Sequence, residues 1–104
     1  MHIIVSWDIY GTDAVKKEVG EQLRDQFKGF SWVRPLLSFY IVKLNEPEDR
    51  QSIREKLIRV AQQRKAQKQR INLVISPVIV AGAYSGFLPK DMWEKINLRT
   101  QQDV

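Results

Sequence analysis

The stretch HIIVSWDIY, residues 2–10, decides how the chain is read. Its apolar residues recur at every second position: Ile3, Val5, Trp7 and Ile9. A strand turns successive side chains to opposite faces, so these four share one face. His2, Ile4, Ser6 and Asp8 share the other. The first face is core. The second is mixed and suits water, a partner subunit or a ligand. Asp8 sits near the strand end, where two readings compete. It is either a working carboxylate or a polar strand end that accepts N–H bonds from Gly11 or Thr12.

Downstream, Gly11 marks a turn and Thr12 or Asp13 can cap a helix. Val15, Val19, Leu23 and Phe27 then recur every four residues as one apolar ridge, and Gly29 ends the helix. Gly20 costs helix stability and marks close packing. The segment FSWVRPLLSFYIVKL is long for one strand and contains Pro35, which cannot donate to a central ladder. It reads as a hairpin: a strand over 30–34, a turn near Pro35 and Leu36, and a strand over 37–44.

A second helix follows, with Asn45 as cap, Pro47 in its first turn and Glu48 closing a capping box. Ile53, Leu57 and Val60 share a face. Arg64 falls on the same line one turn later, so the helix is expected to leave the core there, with QQRKAQKQR exposed. INLVISPVIVAGAY is a strand interrupted by Pro77, which points to an edge or a bulge. LPKDMWEKINL reads as a short closing helix with Pro89 near its first position and Met92, Trp93 and Ile96 packing.

The order is β-α-β-β-α-β plus a C-terminal helix. This is the α+β, ferredoxin-like arrangement, a four-stranded antiparallel sheet with two helices on one face. It occupies the whole of residues 1–104 as a single domain. The helices are expected to cover Ile3, Val5, Trp7 and Ile9, leaving Ile4, Ser6 and Asp8 on an open face fit for a dimer.

Bulk properties narrow the setting. The chain has no cysteine, which excludes disulfides and thiolate metal sites. No apolar run approaches the length of a membrane span, and the N-terminus does not read as a signal peptide. The expected location is the cytoplasm. The net charge is +5, and Arg50 to Arg70 holds eight basic residues against Glu55 alone. Such a segment attracts polyanions, or is simply a solvated helix face.

Several chemistries lack their residues. His2, the only histidine, lies about 20 Å from Asp8 along the strand. That separation excludes an acid–base pair within one subunit and leaves His2 as a surface or interface residue. A Ser–His–Asp triad has no support. Gly82 and Gly86 lack the spacing and the lysine of a phosphate loop. Ile4 and Ser6 stand where an RNA-recognition module would carry aromatics.

Three motifs together resemble a known family. SWDIY ends the first strand, SFYIVKL lies in the hairpin, and AYSGFLPKDMWEKIN closes the chain. The combination is similar to the Cas-two-like proteins, the small CRISPR-associated endonuclease and integration subunits. It is closer still to their SinR-like offshoot, and the virulence-associated protein D group shares the fold. Trp7 replaces the family's tyrosine, and the insertion AQQRKAQKQR is not a family hallmark. The resemblance implies a homodimer in which Asp8 of each copy faces its mate, with Mg²⁺ between them supporting phosphodiester cleavage of RNA or DNA. Arg34 stands for the family's arginine after the first helix and would hold a phosphate. Ser38 and Tyr40 would shape the hairpin near the site. Trp32 is the stacking candidate for single-stranded nucleic acid. Arg54, Arg64, Lys65, Lys68 and Arg70 would contact the phosphate backbone. The competing reading is a non-enzymatic dimeric interaction protein whose basic helix serves solubility or a protein partner.

Overall fold

The computed structural model describes residues 1–100. Strand β1 spans His2–Ile9 and lies inside a four-stranded antiparallel sheet. The other strands are β2 (Trp32–Leu36), β3 (Phe39–Lys43) and β4 (Ile71–Ile75), in the order β2-β3-β1-β4. Helix α1 (Asp13–Asp25) links β1 to β2, which are separated by β3. Helix α2 (Asp49–Ala66) links β3 to β4, which are separated by β1. Helix α3 (Lys90–Thr100) closes the described chain, giving an α+β fold. No helix among the described residues is long and apolar enough to cross a membrane.

The period-two reading of β1 holds. Ile3 and Val5 are fully buried, Trp7 nearly so, and Ile9 packs against the same cluster. The α1 ridge supplies Val19, Leu23 and Phe27 to it, and α2 supplies Ile53, Leu57 and Val60. Each fully buried leucine contributes about 2 kcal/mol by leaving water. Gly11 leaves β1 at φ 146°, a backbone state that side chains avoid. A Cβ there would also meet Val15 Cγ1 at 3.0 Å. Thr12 then caps α1, its Oγ1 accepting from the Val15 N–H at 3.2 Å.

Four local expectations change. Pro35 lies inside β2 rather than at the hairpin turn, which moves to Leu37 and Ser38. An edge strand tolerates it, because the pairing with β3 shifts register between Val33 and Leu36 and asks no donor of the proline. The capping box of Asn45 and Glu48 does not form. Asp49 takes its place, its carboxylate accepting the N–H groups of Asn45 at 3.0 Å and Glu46 at 2.8 Å. Gly29 lies three residues beyond the C-cap Gln26, in the turn that follows α1. Finally, α2 leaves the core after Val60 with most of residues 61–70 exposed, as expected, but Arg64 is fastened rather than free. Its guanidinium donates to Gln22 at 2.8 Å, to Gln69 at 2.8 Å and to Glu18 at 3.3 Å, tying α2 to α1.

The second sheet face departs furthest from expectation. It is not left open. Helix α3 and the chain before it cover its β2–β3 half, where Val33, Ile41 and Ile96 are buried. Ile4 packs against this second cluster with Tyr84, Met92 and Trp93. His2 is fully buried, not a surface residue, because the chain after β4 crosses it. Its backbone pairs with Ile79, and Tyr84 Oη lies 2.5 Å from its Nε2. Gly82 makes room for that ring: a Cβ there would fall 2.4 Å from Tyr84 Cε2. Only the other half of the face stays open, with Ser6 half-buried and Asp8, Asn72 and Val74 exposed.

Candidate functional site

Three elements converge on one cleft. The end of β1 brings Trp7, Asp8 and Ile9, α1 brings Lys16, Gly20 and Arg24, and the hairpin brings Arg34, Leu37 and Ser38. The cleft is open to solvent and holds about 270 Å³. Lys16, Gly20 and Arg24 are spaced by four, so they form one stripe along α1. Gly20 sets how closely that stripe approaches the sheet. A Cβ on it would lie 3.2 Å from Arg24 Nη1 and 3.8 Å from Ile9 Cδ1.

The floor is aromatic. Trp7 and Tyr40 stack with ring centroids 4.4 Å apart and planes 27° from parallel. Arg24 donates from Nη1 to the Tyr40 hydroxyl at 3.2 Å. Arg34 lies over the Tyr40 ring at 5.2 Å, a cation–π distance. Arg34 also donates from Nε to the Leu37 carbonyl at 2.7 Å, and from Nη2 to the same oxygen, which fixes the hairpin turn. A guanidinium has five N–H donors, so both arginines keep donors for a further acceptor. Among the described residues, Lys16, Arg24 and Arg34 form no ion pair.

Asp8 is exposed and lines the same cleft. Strand alternation sends its side chain to the open half of the second face, opposite Trp7 and Ile9. It accepts no hydrogen bond from Gly11 or Thr12, so the strand-end role is not taken up. Among the described residues lining the cleft it is the one carboxylate, and no three His, Cys, Asp or Glu side chains among the described residues gather where a metal could bind. The cleft therefore offers Mg²⁺ a single charged oxygen ligand from these residues. A site would need the waters, substrate phosphate or second carboxylate that this cation accepts.

The structure thus brings Asp8, Arg34 and Ser38 together and adds Lys16 and Arg24, which the sequence reading missed. Their signal was present in the i, i+4, i+8 spacing around Gly20. The basic segment, by contrast, does not form one patch. Arg64 is spent on α1 and Gln69, with its side chain 13% exposed. Arg54 stands about 18 Å along the axis from the end of α2. It is half-buried, one turn from Arg50, whose Nε donates to the Ser76 carbonyl beyond the far end of β4. Lys65, Lys68 and Arg70 are exposed. Arg70 lies at the Asp8 end of the sheet, its carbonyl accepting from the Tyr10 N–H at 3.0 Å and its guanidinium 4.9 Å over the Tyr10 ring. Trp32 is half-buried against the aromatic core, edge-on to Phe27 at 5.6 Å, and lines a separate open hollow with Glu21, Arg24, Asp25 and Lys28.

A second hollow of about 220 Å³ lies between α3 and the hairpin, lined by Leu36, Phe39, Tyr84, Phe87 and Trp93 among others. It is apolar and holds no titratable group besides Tyr84, whose hydroxyl burial pushes above its usual 10.0.

No protein-family model, curated protein or solved structure matches the chain. The family resemblance therefore stands on its short motifs alone.

Proposed function

We propose that this chain is a nucleic-acid-handling protein of Cas-two-like type, with a ferredoxin-like fold, working as a homodimer. One observation carries the reading: Asp8, Arg34 and Ser38 line one cleft with Lys16 and Arg24. Three cations without carboxylate partners suit the phosphates of RNA or DNA. The fold assignment is supported by the two helices that each cross over an intervening strand.

Phosphodiester hydrolysis is the catalytic form of this proposal. Asp8 of each copy would hold one Mg²⁺ across the dimer, because two facing carboxylates repel without a cation. The metal would neutralise charge on the phosphate and acidify a bound water. Lys16, Arg24 and Arg34, on the α1 side of the sheet, would hold a neighbouring phosphate of the same strand, and the Trp7–Tyr40 stack would keep the arginines in place. The non-enzymatic reading is favoured by one observation, that among the described residues lining the cleft Asp8 is the one carboxylate.

A cleavage assay on RNA and DNA with Mg²⁺, with EDTA and with Asp8→Ala separates the two. Cleavage that needs Mg²⁺ and falls to background in Asp8→Ala supports the catalytic form. Cleavage that survives Asp8→Ala removes Asp8 from the mechanism. Binding without cleavage supports a non-catalytic role. Three phosphate contacts to a single strand give a log–log salt slope of about −2. Affinity independent of salt overturns the phosphate contacts.

A further inference from the structure

We infer that the cleft recognises a strand end carrying a terminal phosphate monoester, rather than an internal phosphodiester. This rests on the nucleic-acid reading above and names the part of the substrate that the cleft takes.

Two features point there, charge and the placing of the donors. Lys16, Arg24 and Arg34 line the cleft, and the one carboxylate residue at its border, Asp8, turns its side chain to the other sheet face. An internal phosphodiester brings one negative charge. A monoester brings about 1.5 to 2 at neutral pH, with three acceptor oxygens. The monoester neutralises more of this positive charge than one diester does, and its oxygens outnumber what one arginine can bind.

The donors are already placed for it. Arg24 is held by the Tyr40 hydroxyl and Arg34 by the Leu37 carbonyl and the Tyr40 ring. Each therefore loses little side-chain freedom when an anion arrives, and each can still offer N–H groups. Because their fixed contacts are neutral, neither arginine must give up a carboxylate to bind. Asp8, whose side chain leaves toward the other sheet face, borders the cleft without closing it.

The cleft is an open one of about 270 Å³, with room for roughly one nucleotide. The hairpin turn, with Leu37 83% exposed, stands over one side of the entrance.

The test compares one single-stranded oligonucleotide with a 5′-phosphate, with a 3′-phosphate and with hydroxyls at both ends. Binding is measured at fixed salt with EDTA, so that cleavage does not intervene. We expect one of the phosphorylated forms to bind about tenfold more tightly than the hydroxyl form. The two phosphorylated forms show which end is taken. The preference should disappear in Lys16→Gln, an exposed position without structural contacts, and in Arg24→Gln. Arg24→Lys, which keeps the charge, should retain part of it. Equal binding of all three oligonucleotides overturns this inference and leaves nucleic-acid binding intact. A preference that survives Lys16→Gln and Arg24→Gln also overturns it. No binding of any form overturns the inference and the underlying reading together.

Discussion

His2 is sealed beneath Tyr84 and Ile79, and its Nδ1 is buried without a hydrogen-bond partner. Burial first, and the charge of the chain's amino terminus second, push its imidazole below the usual 6.5. The unfolded chain takes up this proton near 6.5, the folded chain only at lower pH. Between those values the unfolded state binds more protons, so stability falls as pH falls. The contribution is complete above about 6.5 and is lost as pH drops through the folded-state value. Thermal melts of the parent and His2→Gln from pH 8 to pH 5 check this. The advantage of the parent should shrink as the pH is lowered. A difference that does not change with pH would remove His2 from the pH response. The residue also shows a limit of sequence reading. Alternation placed it on the correct face, but nothing local indicated that a segment some eighty residues away would cover it.

At the scale of elements, propensity and spacing were sound guides where a helix or strand met one neighbour. The four-residue ridge of α1 and the Ile53–Leu57–Val60 face of α2 are both buried. Ends were less legible, because several residues compete for each cap. Asp49 outcompetes Glu48 since the turn of Glu46 to Asp49 brings its carboxylate back to two free N–H groups. The other end of α2 carries strain. Lys68 adopts φ 61°, and the Lys68 and Gln69 N–H groups bond back to Lys65 and Arg64 at 2.9 and 2.8 Å. That pattern is a Schellman closure, where glycine is the usual occupant. Relieving the left-handed lysine in Lys68→Gly should stabilise the fold by about 1 kcal/mol. In a domain of this size the melting temperature should then rise by roughly 4 °C or more. An unchanged or lower melting temperature would show that the lysine side chain contributes more than its backbone costs.

For the whole molecule, the decisive feature is the division of the second sheet face. Its β2–β3 half is closed by α3, which removes Ile4 from the surface expected for a dimer. The other half keeps Ser6, Asp8, Asn72 and Val74 available. Val74 is 72% exposed, and cross-strand pairing sets it opposite Ser6 and Asn72 opposite Asp8. If two copies meet, this half is where they do so with their Asp8 residues close. Light scattering or analytical ultracentrifugation of the parent should report a dimer, and Val74→Asp a folded monomer. The substitution adds charge to a contact surface while costing the strand no more than about 1 kcal/mol. A parent that stays monomeric at high concentration, or a dimer indifferent to Val74→Asp, would rule out this mode of pairing.

From its sequence alone, this chain declared the order of its elements, the buried face of β1, the ridges of α1 and α2, and Asp8 and Arg34 as residues to follow. Those features depend on periodicity and on neighbours a few positions apart. The strand order, the tolerance of Pro35 at an edge, the burial of His2, the fastening of Arg64 and the meeting of Lys16 and Arg24 with Arg34 were decided by tertiary structure. The reason is physical: each depends on which surface, among several of similar polarity, reaches a given side chain once the sheet has closed.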